Sequence, residues 1–402
     1  MKQLGRISGR KRDVLTRNNA VQQGKKMFSK KLITRRSVLH GIGAIGAAGA
    51  LVGPGMTKGL LAADKLVVGV AYAGAKDDFG WNQGHAVGVA ALKKLDAVKV
   101  VEEENVPETV ESQKTMESMI NFDGARLIFM PGFGYWDHML KVAAKYPDVQ
   151  FLYGGPLVWE EGMPANAGSY NGYIDQAQYI SGVVAGHATK SGKLGFIAAK
   201  PYPASIRNVN SFTLGARSVN PDATMQVIVT GDWVLPVKEA EAVNSLADQG
   251  IDVVTCHVDA PKVVVETAEK RGIFSSGYHT DQSVLAPNGY LTGAIWNWEK
   301  VYTDYVNWLR DGKSWPHLVR GGLKEGIVTN VPYGSAVSAD ARKAADAALA
   351  GFMDGSFQIY KGPMTTNDGR TAIPDGIGYA QTDPWLESMD WFVEGVVGTT
   401  GA

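Results

Sequence analysis

From residue 64 onward, short apolar runs alternate with stretches whose apolar positions recur every three to four residues. The runs Lys65–Tyr72, Val98–Glu102, Arg126–Pro131, Gln150–Gly154, Lys193–Ala198, Met225–Thr230, Val253–His257, Ile273–Gly277 and Tyr290–Ile295 predict strands. Between most of them, the spacing predicts helices over Trp81–Leu95, Glu108–Asn121, Trp136–Lys145, Asp175–Lys190, Ile206–Val219, Val237–Asp248 and Pro261–Arg271. Strands separated by single helices imply βαβ units and parallel sheets, an α/β fold. Leu127-Ile128-Phe129-Met130 has no polar alternation, as suits a strand covered on both faces. The strands could form one large sheet or two smaller ones; the length of 402 residues favours two domains. No Pro/Ser-rich tether divides the chain. Several short crossings are therefore expected, with Asn171–Gly172, Pro287–Gly289 and Gly321–Gly322 as candidates.

Charge changes the picture at the N-terminus. The chain is neutral overall, with 40 basic and 40 acidic residues, but residues 1–63 hold 13 Lys/Arg and one acid, Asp13. The remainder has 27 basic against 39 acidic residues, a net charge of −12 that argues against nucleic acid as a partner. Thr34-Arg35-Arg36-Ser37-Val38-Leu39 precedes a mild apolar run, Gly41 to Val52. That pattern is similar to a twin-arginine export signal, with removal expected near Ala62–Ala63 and the periplasm as destination. The run is too short for a membrane span, which needs about 20 apolar residues. Gly41-Ile42-Gly43-Ala44-Ile45-Gly46 fits G-x-G-x-x-G, but no strand precedes it, so a dinucleotide site is not expected. The single cysteine, Cys256, has no intramolecular disulfide partner.

In open parallel sheets, ligands bind beyond the carboxyl ends of the strands. Four of the ten tryptophans, Trp81, Trp136, Trp233 and Trp296, fall on such strand-end loops. Loop tips are normally polar, so these indoles need a cover. Facing one another across a cleft, they would sandwich a planar heterocycle; packed inward, they would serve the core. Two His-x-Asp pairs, His257/Asp259 and His279/Asp281, also end strands. They could read a ligand edge, cap the following helices (Asp259 precedes Ala260-Pro261) or hold a metal. No G-x-S-x-G elbow, H-E-x-x-H or P-loop occurs, and Cys256 and His257 point apart on an extended strand. Neither catalysis nor a metal or other cofactor is expected.

The stretches VGVAYAGAKDDFGWNQGHAVG, IFMPGFGYWDHMLKVAAKYPDVQF, YNGYIDQAQYISGVVAG, NSFTLGARSVNP, SSGYHTDQS and SMDWFVEGVVG, in this order and spacing, resemble the basic membrane protein family of ABC solute-binding proteins, which includes purine-nucleoside receptors. The resemblance covers essentially the whole chain after the leader. It implies a type I periplasmic-binding-protein fold, two Rossmann-like lobes joined by a three-strand hinge. With the candidate crossings, it divides the chain into 64–172 plus 292–320 and 173–291 plus 321–402. It also implies a monomeric receptor that delivers its ligand to an ABC permease with ATPase partners. Trp81 stands where the family has a base-stacking Phe, and Asp78 and Asn82 belong to the same motif. Trp233 matches an aromatic that stacks from the other side. Phe133 to Asp137 matches a loop with a further pocket carboxylate, here Asp137. The family's nucleoside receptors carry a ribose-binding Asp where this chain has His279, and a Lys near Trp296–Asn297. Their replacement makes a bare nucleobase, adenine or a hydroxypurine, as much an expectation as a nucleoside. An exported purine hydrolase using the His/Asp pairs and a sensory receptor are the alternatives.

Overall fold

A computed structural model describes residues 65–400; the twin-arginine motif and its apolar core lie outside the described residues. The first sheet is built from β1 (Leu66–Ala71), β2 (Val98–Glu103), β3 (Leu127–Met130), β4 (Gln150–Gly154), β5 (Ala167–Gly172) and β11 (Leu318–Gly321). Its strands run in the order β11-β5-β4-β3-β1-β2, every pair parallel. The second sheet holds β6 (Lys193–Ala198), β7 (Thr224–Val229), β8 (Val253–His257), β9 (Phe274–His279), β10 (Tyr290–Trp296), β12 (Val328–Asn330) and β13 (Val396–Val397). Its order is β12-β10-β9-β8-β6-β7-β13, parallel except where β12 meets β10. Interior strands of each sheet are buried along their whole length: all four residues of β3 and all five of β8 are buried, because helices cover both faces.

Helices α1 (Trp81–Leu92), α2 (Glu111–Asn121) and α3 (Trp136–Lys145) follow strands of the first sheet. Helices α4 (Ile174–Ala188), α5 (Pro203–Val219), α6 (Pro236–Asp248) and α7 (Lys262–Arg271) serve the second. Two more were not visible as periodic runs: α8 (Trp298–Arg310) and the Ala-rich α9 (Ala339–Asp354). Each carries an end signal. Asn297 accepts from the Lys300 amide at the start of α8. Ser338 accepts from the Ala341 amide, and Gly355 closes α9 in the left-handed region. Strand β5 escaped the pattern because Ala-Gly-Ser-Tyr-Asn-Gly lacks β-branched residues; its neighbours β4 and β11 hold it extended.

The chain passes from one sheet to the other after Gly172, after Trp296 and after Gly321. The crossing expected at Pro287–Gly289, and with it the boundary at 291/292, lies elsewhere. Glu269 of α7 accepts from the amides of Asn288 and Gly289, which makes this stretch a turn within the second sheet's own layers, and β10 stays in that sheet up to Trp296. The return is then made at once: Trp298 and Tyr302 of α8 pack on α1, where the Tyr302 hydroxyl bonds His85 Nδ1 at 2.6 Å and Tyr170 at 2.9 Å.

Candidate functional site

The carboxyl ends of both sheets border one cavity of about 110 Å³. A single water needs roughly 10–15 Å³, so the space takes on the order of ten water-sized groups, the scale of a fused bicyclic ring.

One wall is organised by the loop Asp77–Gln83. The Asp78 carboxylate accepts from the amides of Gly80, Asn82 and Gln83 at 2.8–3.1 Å and from Asn82 Nδ2 at 2.8 Å. Asn82 in turn accepts from the Gly74 amide. These two residues therefore do not line the cavity; they are spent on the first turn of α1, whose free amides need acceptors. Their product is the placement of Trp81. Its amide donates to the Asp259 carbonyl of the other lobe at 2.8 Å, and its indole Nε1 donates to the Pro131 carbonyl at 3.1 Å. Gly80 makes that approach possible, since any Cβ there would overlap the Asp259 carbonyl. The Trp81 ring meets four others edge-on: His85 at 4.4 Å, His279 at 5.4 Å, Trp296 at 5.8 Å and Trp298 at 6.0 Å. Trp296 and Trp298 stack on each other at 4.8 Å, and Trp296 Nε1 donates to His279 Nδ1 at 2.8 Å. His279 holds its place with a positive φ of 75°, rare for a residue with a side chain.

The opposing wall carries Trp233, just after β7. Its ring lies 6.0 Å from Phe133 and 5.3 Å from Tyr202, with Lys200 over it at 5.3 Å. His257, at the end of β8, is bonded at both nitrogens. Asn208 Nδ2 donates to Nδ1 at 2.9 Å, which leaves Nε2 to carry the proton toward the Tyr202 hydroxyl, also at 2.9 Å. Burial pushes the His257 imidazole down to about 3, so this ring is neutral across the physiological range. Burial also drives His279 and His85 well below the usual imidazole range, His279 further by its histidine neighbours. Asp259 is held well above the carboxylate range, first by burial and then by the Glu108 and Asp78 carboxylates nearby. Burial likewise raises Glu108, which accepts from the Gly134 amide at 3.0 Å. This region is thus lined by aromatic faces and by ionisable groups pushed toward neutrality.

Of the candidates from the sequence, Trp81, Phe133, Trp233, His257, Asp259, His279 and Trp296 border the cavity. The others do not. Trp136 is 4% exposed and turned onto the Tyr153 ring at 5.1 Å, in the core beneath the first sheet. Asp137 is exposed in the first turn of α3, where a carboxylate suits the helix dipole. Asp281 is exposed and accepts from the Ser283 amide, and Asn297 caps α8 while donating to the Gly326 carbonyl. Three of the four His-x-Asp side chains border the cavity, His257 and His279 with ring centroids 6.2 Å apart, but Asp281 does not, and among the described residues no cluster of three His, Cys, Asp or Glu side chains could hold a metal. Asp259 does not cap α7, which begins after Pro261. Cys256 is buried, and burial raises its thiol, with Glu239 adding to the effect.

The far end of the cavity was not anticipated. Arg207, inside α5, is buried against Asp175 of α4 at 3.1 Å, Glu387 at 2.9 Å and Gln381 at 2.7 Å. Arg320 and Asn171 border the same space. A lone Arg within an amphipathic helix gives no sequence signal of such a role; only the carboxylates it meets do.

The family described as "ABC transporter substrate-binding protein PnrA-like" (Bmp) matches residues 65–346. The chain belongs to that family. Among relatives, a purine-binding protein of Brucella abortus (strain 2308) is 34% identical over 83% of this chain and 94% of its own. A Haloferax volcanii ABC transporter protein, provisionally named for glucose binding, is 29% identical over 80% of this chain and 78% of its own. A solved ABC transporter solute-binding protein from Conexibacter woesei superposes with a TM-score of 0.62 at 20% identity, over 73% of this chain and 98% of that one. The two parallel sheets with their helix layers are thus the fold of periplasmic binding proteins, two Rossmann-like lobes. As a Bmp-family substrate-binding protein, the chain has a small molecule as its ligand and works with an ABC permease and its ATPase. The stretch after residue 346, beyond the family match, supplies Glu387 to the cavity wall.

Proposed function

We propose that this substrate-binding protein receives a purine between Trp81 and Trp233, with the lobes closed around it, for an ABC importer. The observation that carries the reading is a single cavity of bicyclic size, bordered by indoles from opposing lobes and by polar groups that burial drives toward neutrality. Each stacked face is worth roughly 1–3 kcal/mol to a planar ring, and neutral polar groups read its edge without a large desolvation cost. The naming of the Brucella abortus relative for purine binding supports the same ligand class. In this reading the protein is a monomer without enzymatic activity. It is exported by the twin-arginine signal within residues 1–63 and works in the periplasm. Ligand binding shifts the population to the closed form, which docks on the permease.

Calorimetric titration with adenine, hypoxanthine, xanthine, adenosine and glucose tests the reading. Saturable binding of at least one purine, with no turnover on prolonged incubation, is expected. Binding of glucose alone would overturn the purine assignment, and conversion of a bound purine would overturn the transport role.

A further inference from the structure

Two arginines border the cavity, and they differ in what they face. Arg207 has its charge met by Asp175 and Glu387. Among the described residues, Arg320, on β11, has no carboxylate within ion-pairing distance. Its guanidinium donates only to backbone carbonyls: Nη2 to Pro156 at 3.1 Å and Gly155 at 3.3 Å, and Nη1 to Val319 at 3.5 Å. Among the described residues, its Nε hydrogen and the second Nη1 hydrogen have no protein partner. An arginine keeps its charge at any physiological pH, and Arg320 is half-buried, so a guanidinium partly withdrawn from water without a paired anion gains when a ligand supplies a strong acceptor.

Strand register sets a second donor beside it. β11 and β5 are parallel neighbours, and Arg320 is paired with Asn171, so the two side chains leave the sheet on one face. The Asn171 amide has a fixed orientation. Its Oδ1 accepts from the Gly172 amide at 2.8 Å, which only the oxygen can do, and this leaves Nδ2 as the free end. Nδ2 has no partner among the described residues. Arg320 and Asn171 together present donors to the cavity and no acceptor.

We propose that the Arg320–Asn171 pair selects oxopurines over aminopurines by donating to a ring carbonyl oxygen, or to its enolate in the anionic base. This rests on the purine reading above and narrows it. A carbonyl at this place completes the guanidinium and the amide together. An exocyclic amino group at the same place sets donor against donor and leaves both unsatisfied, the arrangement that discriminates most strongly between otherwise isosteric ligands. Burial holds the Arg320 guanidinium below its usual range, and the Glu387 carboxylate, which forms no ion pair with it, offsets only part of that effect.

The test is a calorimetric comparison of hypoxanthine, xanthine and adenine on the wild type, Arg320→Met and Asn171→Ala, with the melting temperature of each ligand-free variant as a folding control. Hypoxanthine and xanthine should bind the wild type ~tenfold or more tightly than adenine. Arg320→Met should lower oxopurine affinity at least ~tenfold more than adenine affinity, and Asn171→Ala should narrow the gap by a smaller factor in the same direction. An arginine that merely holds the Gly155–Pro156 turn would lower all three ligands alike, and that result overturns the proposal. So does a wild type that prefers adenine, while leaving the purine reading intact. If no purine binds, the reading and this inference fall together. Should Arg320→Met fail to fold, Arg320→Lys gives the same contrast, because an ammonium keeps the charge and loses the planar fork.

Discussion

Two helices over the first sheet open on a tryptophan, Trp81 at the start of α1 and Trp136 at the start of α3, and each follows the carboxyl end of a strand. Their surroundings differ. Trp81 is half-buried, held by a hydrogen bond from its own backbone to the opposing lobe, with His279 and Trp296 of the second sheet against its ring. Trp136 turns back onto Tyr153 of its own sheet and is closed off by the methionines and aromatics of that layer. An indole at a strand end borders the ligand space only where the other lobe stands opposite and leaves a gap. Elsewhere the same residue completes the core, because a large apolar ring left in water is unfavourable.

That contrast can be broken from either side. Trp136→Ala should cost about 3–5 kcal/mol of stability, read by urea unfolding, with ligand affinity kept wherever the protein remains folded. Selective loss of affinity in that variant would put Trp136 in the site. Trp81→Ala should do the reverse: purine affinity falls by about 1–3 kcal/mol for each stacked face removed, seen by calorimetry, with little change in the ligand-free melting temperature. Gly80→Ala sharpens the comparison, since it leaves both indoles in place and sets a methyl against the Asp259 carbonyl across the cleft. Closure is then strained, and affinity should drop by roughly 1–3 kcal/mol while the ligand-free fold is unaffected. Unchanged affinity would mean the lobes do not meet at this point in the bound form.

The smallest effect concerns pH. Asp259 is held above the carboxylate range, so the folded protein retains a proton that the unfolded chain gives up. The stability this group contributes is present below the ordinary carboxylate value and is lost as pH rises through its folded value. Asp259→Asn removes that loss. The ligand-free variant should melt about 1–3 °C above wild type at alkaline pH, and the gain should vanish toward about pH 4. A gain of equal size at both ends would show that the carboxyl is not the cause.

Much of this was legible along the chain. All nine runs read as strands are strands, from β1 to β10 with only β5 missed, and the seven periodic stretches are helices α1–α7. Trp81, Trp233, His257 and Asp259 could be placed at strand ends that now border one cavity. Asp78 and Asn82 were recognisable as a motif, but not as the support of a helix start rather than a cavity wall. Arg320 and Asn171 carried no signal, since both stand on strands without apolar patterning and gain their setting from each other across the ladder. Glu387 reaches Arg207 across 180 positions of sequence.

By itself, the sequence determined which segments are strands and helices and therefore which side chains stand at strand ends, because period and propensity act between near neighbours. The tertiary structure alone decided which of those side chains look into the space between the lobes and which are consumed in caps, core and ion pairs. That choice depends on the residue placed opposite, and the partner is set by sheet order and lobe closure, not by distance along the chain.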